Sequence, residues 1–281
     1  MKRQLLLFIA LILAAAGVSA QIVVVRDEFV NADSIRREYD RGPNFGLYKD
    51  NYFIFGPPIG HRPDRSNTNV KFQVSIQQKL TRSTLPWGTY LYLFYTQKVF
   101  WNVLENSLPM TDLNFNPGIG LAKPLFSSID GRYLGKLAFV IEHESNGRDG
   151  EESRSWNRVS FSAALVLDRN IMVHAKLWIP IIDGRNNRDI LKYSGIYQGG
   201  LQVMSNNRRL GMSVLLTKRM RSNIFAFNTT IELKCRFFKN DNQYFFAQFY
   251  NGYGEGLLEY NRFHSQLRVG ICLSPTFFSD F

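Results

Sequence analysis

The chain has 281 residues and is basic, with 34 Lys and Arg against 23 Asp and Glu for a formal net charge of +11, and it carries 23 Phe and 13 Tyr. Aromatic side chains favour β-strands, and a secreted β-protein rarely meets nucleic acid, so the positive charge is assigned to a barrel interior or to anionic lipid headgroups. No run beyond the N-terminus is apolar enough for a transmembrane helix, so a membrane form of this chain must be a barrel.

Lys2 and Arg3 precede an apolar run from Leu5 to Ala16, followed by Gly17, Val18, Ser19 and Ala20. This is the pattern of a secretory signal peptide (residues 1–20) cut after Ala20, and the run is too short for a comfortable membrane span. Losing Lys2 and Arg3 takes the net charge from +11 to +9. Residues 21–48 are polar and mixed, and are expected to form an N-terminal periplasmic arm.

From residue 49 onward the pattern is that of strands. After a first run at Asn51 to Phe55, Val70, Phe72, Val74 and Ile76 alternate with Lys71, Gln73, Ser75 and Gln77, the clearest two-faced strand in the chain. Leu91, Leu93, Tyr95, Val99 and Trp101 then share a face that Gln97 interrupts. A fourth run, Asn114 to Leu125, is weakened by Gly and Pro. The fifth and sixth runs flank residues 146–156. Further runs follow near 171–179, 195–205, 208–218, 225–234 and 243–252, and the last has Leu267, Val269, Ile271 and Leu273 against Gln266, Arg268, Gly270 and Cys272.

Twelve is an even number of strands, and many runs reach the roughly 9–11 residues that cross a bilayer as a tilted strand. A soluble β-sandwich also alternates, but its polar faces look outward and its strands are shorter. The expected fold is therefore all-β, a 12-stranded antiparallel transmembrane β-barrel over residues 49–281 with apolar residues outside. Alternation puts Cys235 on the outer face of the tenth strand and Cys272 on the inner face of the twelfth, so the two cannot be bridged.

The segment His143 to Arg158 carries the chemistry. His143 and Ser145 are two residues apart and leave the same face of a strand. Asn157 lies on the next run, past a polar loop. On both strands these residues extend the apolar face, where a merely solvated side chain is not expected. A hydroxyl, an imidazole and an amide are what a nucleophile, its general base and the group that orients the base require. Glu142 and Glu144 fall on the opposite face, as interior charges paired with Arg or Lys. His61, His174 and His264 are in no metal-ligand spacing and are taken as ordinary polar residues. Two rival readings are a passive barrel, such as a porin with a decayed site, and a soluble periplasmic lipid binder.

The same segment resembles the active-site pattern of the bacterial outer membrane phospholipase A family, histidine-x-serine-asparagine-glycine-arginine followed by serine-arginine-serine-tryptophan-asparagine-arginine. Here these are His143, Ser145, Asn146, Gly147 and Arg148, then Ser153, Arg154, Ser155, Trp156, Asn157 and Arg158. NVKFQVS, YTQKVFW and NFNP resemble the family's second, third and fourth strands, and GYGEGLLEYN with LRVGICL its final hairpin. The C-terminal Phe281 is typical of outer membrane barrels. The acidic stretch Asp149, Gly150, Glu151 and Glu152 departs from the family's pattern.

The resemblance implies an outer membrane phospholipase of the A1/A2 type, in which Ser145 attacks an acyl ester, His143 takes its proton and Asn157 fixes the imidazole. Gly147 is expected to let a backbone N–H approach the oxyanion. The resemblance also implies calcium (Ca2+) as cofactor, held by the Arg148 carbonyl and Ser153 and, from a partner subunit, by a carbonyl near Ser107. It implies a calcium-promoted homodimer with Gln97 at its seam and a phospholipid substrate. The active site is placed toward the outer leaflet.

Overall fold

Side chains that alternate apolar and polar along a strand cannot satisfy both lipid and a packed interior unless the sheet closes on itself. The computed structural model shows that closure; it describes residues 40, 44–82, 84–127, 129, 133–181, 185–221, 223–238 and 242–274. The strands are β1 (Phe45–Leu47), β2 (Asn51–Gly56), β3 (Asn69–Lys79), β4 (Tyr90–Trp101), β5 (Met110–Phe126), β6 (Tyr133–Ser145), β7 (Ser155–Asp168), β8 (Ile171–Ile181), β9 (Tyr197–Met204), β10 (Leu210–Lys218), β11 (Phe227–Arg236), β12 (Gln243–Gly252) and β13 (His264–Leu273). Each of β2 to β13 pairs antiparallel with its neighbours in sequence, and β13 returns to β2, so the twelve strands form a closed barrel with no free edge.

Two details differ from the sequence expectation. The short β1, within the stretch expected to be an arm, pairs with β3 ahead of β2. Residues 48–50 bulge between β1 and β2, which turns Asp50 inward to meet Lys234 and to accept a hydrogen bond from the Ser274 hydroxyl at 2.6 Å. The fourth run is also longer than its composition suggested, reaching from Met110 to Phe126. The signal peptide, residues 21–39 and Phe281 lie outside the described residues.

With the exception of 80–89, the connections sort by end. Short turns, such as 169–170 and 205–209, lie at the end that holds both the start of β2 and the finish of β13. Longer loops, such as 57–68, 146–154, 182–196 and 253–263, lie at the other end, the usual asymmetry of outer membrane barrels. Two of them fold inward. Glu255 is 4% exposed and pairs with Arg268 at 2.7 Å and Lys71 at 3.1 Å. The amides of Leu257 and Leu258 donate to Asn114 and Asp112 of β5. A Cβ on Gly256 would stand 2.4 Å from the Asp112 carboxylate, so this approach needs glycine. Leu257 and Tyr260 then pack with Ile190, Trp156 and Trp178 across the mouth. Toward the other end Tyr90, Tyr92, Phe94 and Val140 fill the interior. Between these layers lies a polar cavity of about 220 Å³ lined by Lys49, Lys98, Glu144 and Arg158 among others. Side chains are thus packed across the interior on either side of the cavity.

Outside, Leu137, Ile141, Phe161, Leu177, Ile179 and Val269 are among many large apolar side chains exposed to the surroundings, as a lipid-facing wall requires. Cys235 is exposed on β11 and Cys272 is buried on β13, with β12 between them, and both are free. Alkylation of the unfolded, unreduced protein is therefore expected to label both thiols in full. A 235–272 bridged peptide in the mass spectrum would contradict the strand registers.

Candidate active site

β6 and β7 are paired without a register shift, and His143 stands directly opposite Asn157. The carbonyl of His143 accepts a hydrogen bond from the Asn116 side chain of β5 at 2.7 Å, so the backbone of His143 is turned toward β5. On its other side, facing β7, the His143–Asn157 pair is then a non-hydrogen-bonded one, the type in which opposed side chains come closest. Nδ1 of His143 lies 2.8 Å from Oδ1 of Asn157. An amide oxygen can only accept, so Nδ1 carries a proton, and in the neutral ring Nε2 is then the nitrogen with the lone pair.

Ser145 follows two residues later on the same outward face, about 7 Å along the strand. It is paired with Ser155 of β7 and Phe115 of β5. Among the described residues the Ser145 hydroxyl makes no hydrogen bond. The structure thus brings His143 and Asn157 into contact and sets Ser145 beside them.

The inward faces of the same strands hold this register. Arg158 Nη2 bridges Glu142 at 3.1 Å and Glu144 at 3.0 Å, and Lys176 of β8 reaches Glu142 at 2.8 Å. The Ser160 hydroxyl donates to Glu142 at 2.6 Å and the Trp156 indole to Glu144 at 3.1 Å. The Arg158 guanidinium also lies 4.2 Å from the centre of the Trp156 ring. Glu142 and Glu144 therefore have the interior, ion-paired role expected for them. Because Glu142 and Glu144 flank His143 and Trp156 and Arg158 flank Asn157 in sequence, the buried network fixes the backbone beneath the outward pair.

The connecting loop is organised by Asn146, which is 2% exposed. Its backbone N–H donates to the Arg154 carbonyl, its Oδ1 accepts from the Arg154 amide, and its Nδ2 donates to the Glu152 carbonyl. The sequence motif contained this asparagine without disclosing that role. Gly147 adopts φ +64°, and a Cβ there would touch the Phe115 ring at 3.0 Å, so a side chain is excluded on two counts. Arg148 pairs with Glu152 and donates to the Thr111 carbonyl at 2.6 Å, tying the loop to β5.

Among the described residues there is no group of three His, Cys, Asp or Glu side chains placed to hold a metal. The groups expected to bind calcium, the Arg148 carbonyl and Ser153, are instead hard oxygen donors on one ordered loop, a donor set that suits Ca2+. Glu152 of the acidic stretch is engaged by Arg148. Asp149 and Glu151 are exposed and add negative charge nearby. Ser107 is exposed on the loop 102–109 at the same end of the barrel.

Gln97 points outward from β4, half-buried, and its side-chain oxygen accepts from the Tyr95 hydroxyl at 3.2 Å. By register it opposes Phe115, which opposes Ser145, which opposes Ser155. Gln97 and Ser145 thus belong to one cross-strand row, two strands or about 10 Å apart. Sequence alone did not reveal this alignment.

A family model described as Phospholipase A1 matches residues 51–273. The phospholipase A1 of Proteus vulgaris is 32% identical over 220 residues, covering 76% of this chain and 73% of the relative. The structure of an Escherichia coli outer membrane phospholipase A active-site mutant, in which an asparagine is replaced by alanine, is 25% identical with a TM-score of 0.74, covering 90% of this chain and all (100%) of that one. A calcium-bound dimer of the Salmonella typhi outer membrane phospholipase is 25% identical with a TM-score of 0.73, covering 88% of this chain and 98% of that one.

The interior network generates a stability prediction. Glu142→Ala leaves Lys176 without its counter-charge and Arg158 with only half of its own, and breaking a buried pair in this way costs about 3 kcal/mol. The urea midpoint of the protein refolded in micelles is expected to fall accordingly, and an unchanged midpoint would show that the network carries no weight.

Proposed function

The chain belongs to the phospholipase A1 family of outer membrane phospholipases, and from this premise we propose that it hydrolyses acyl esters of phospholipids with Ser145 as nucleophile, His143 as general base and Asn157 as the group orienting the base. The observation that carries the reading is the 2.8 Å contact between His143 Nδ1 and Asn157 Oδ1 on the outward face of the barrel wall, with Ser145 beside it. The active-site asparagine named for the Escherichia coli relative supports it.

In this mechanism Ser145 Oγ attacks the ester carbonyl while His143 Nε2 takes its proton. The imidazolium is stabilised by the Asn157 oxygen and then gives the proton to the departing lysophospholipid oxygen. Water, deprotonated by His143, cleaves the acyl-enzyme, releases the fatty acid and restores Ser145. A neutral amide suits a lipid-facing site, where a bare carboxylate is costly to desolvate. The Gly147 backbone N–H is placed in the loop that follows Ser145 and is the proposed donor to the oxyanion. Cleavage at either acyl position, A1 or A2, is part of the proposal.

Calcium is the proposed cofactor, with the Arg148 carbonyl, Ser153 and a carbonyl near Ser107 of the partner subunit as its ligands. When bound, it supplies Lewis-acid polarisation of the ester carbonyl. The dimer proposed is two barrels meeting across the outward face that contains Gln97, whose side-chain oxygen is met by Tyr95 while its NH2 donors face hydrocarbon, where an unpaired polar group costs about 1–3 kcal/mol. The calcium-bound dimer of the Salmonella typhi relative supports both. The site sits at the end of the long loops, opposite the start of β2 and the finish of β13, which supports an outer-leaflet orientation.

Ser145→Ala and His143→Ala are each expected to lower turnover by at least about a thousandfold, because nucleophile and base act as a unit. Asn157→Ala is expected to lose less, on the order of a hundredfold. Folding is checked by heat-modifiable gel mobility, and Ser145→Ala retaining full turnover would remove it as the nucleophile. Calcium is expected to promote dimers in detergent and a chelator to abolish activity, with Gln97→Ala weakening dimer and activity in parallel. Sedimentation showing a fully active monomer would refute the dimer.

A further inference from the structure

Pro117 lies in the middle of β5, between β4 and β6, where a residue without an N–H removes a ladder hydrogen bond. The ladder between β5 and β6 lapses at Asn116 and Pro117 and resumes unshifted, running from Phe115 opposite Ser145 to Gly118 opposite Glu142. In that register Pro117 faces His143, and Asn116 faces Glu144. The carbonyl that loses its backbone donor is thus the one belonging to His143. It is nevertheless paired, because Nδ2 of Asn116 donates to it at 2.7 Å.

We infer that Asn116 is a positioning residue for His143, its side-chain amide replacing the backbone N–H that Pro117 lacks. The inference rests on His143 being the general base. Asn157 fixes the imidazole plane and tautomer from across the outer face, but it holds only the ring. The main chain from which the ring hangs is held on the β5 side by Asn116, which is half-buried, lines the interior cavity and reaches the carbonyl from within. A carbonyl left open in a bilayer wall would twist to find another donor. That twist would carry the imidazole away from Ser145, and displacements of about 1 Å are enough to cost turnover heavily.

The test uses the proline. Asn116→Ala and the near-isosteric Asn116→Asp both lack the donor, and each is expected to lower kcat about tenfold with KM unchanged. Pro117→Ala restores a backbone N–H, so the single variant is expected to keep wild-type kcat and the double variant Asn116→Ala, Pro117→Ala to recover it. A merely structural role for Asn116 would not be relieved by changing its neighbour to alanine. Full kcat in Asn116→Ala, or a double variant as slow as the single one, overturns the inference. Ser145→Ala and His143→Ala are assayed in parallel. If they are inactive while Asn116→Ala is unimpaired, only the positioning role falls, whereas activity in either removes the catalytic reading on which it rests.

Discussion

Hydrocarbon offers no hydrogen bonds, so every polar group on the outside of this barrel must find its partner within the wall or from something bound to it. That constraint closes the sheet into a ring of twelve strands. It also governs the three polar residues that interrupt the apolar face of β6 and β7. His143 and Asn157 meet the demand by turning to each other, and the pairing that satisfies them also selects the tautomer with Nε2 free. The requirement imposed by lipid and the requirement that the proposed general base would impose are thus met by one contact.

A pair held only by side chains on an open surface would still wander among rotamers. The other side of the same two strands prevents this. Glu142, Glu144, Arg158 and Lys176 are taken out of water, and such charges are tolerable only in fixed mutual geometry. Because side chains alternate, Glu142 and Glu144 are covalently next to His143 and Arg158 next to Asn157, and Lys176 of β8 holds Glu142 from the neighbouring strand. Above it Glu255 and the Trp156–Trp178 cluster pack across the mouth, so the network lies largely buried, where ion pairs are less screened. The interior serves as the rigid backing of a site that faces the other way.

How much of this the sequence disclosed follows from the same alternation. β3, β8 and β13 were legible because every second residue declares its face. His143, Ser145 and Asn157 stood out because they are polar where that pattern demands apolar. β5 was harder to read, since Asn116, Pro117, Gly118 and Gly120 follow no period, and its extent was underestimated. β1 was hidden because three residues give no alternation to see. The inward fold of residues 253–263 depends on Glu255 meeting Lys71 and Arg268, distant in sequence, and no local pattern reports such a contact. The role of Asn116 needed the register, since only that shows which carbonyl Pro117 leaves open.

The outward placement finally limits how such a site can be controlled. No strand of a closed barrel can slide or tilt without breaking the ladders on both of its sides, and β6 is also pinned from within by Glu142 and Glu144. Conformational switching of the wall is therefore expensive. What can change is the surface laid against it. The row Gln97, Phe115, Ser145 and Ser155 presents one polar amide, one aromatic ring and two hydroxyls, one of them the proposed nucleophile, along about 15 Å of wall. A second apolar surface laid on this row would enclose an acyl chain against Phe115 while giving the Gln97 NH2 group an acceptor. Under the proposed dimer, activity then follows from association and ion binding, with the catalytic pair already assembled in the single barrel.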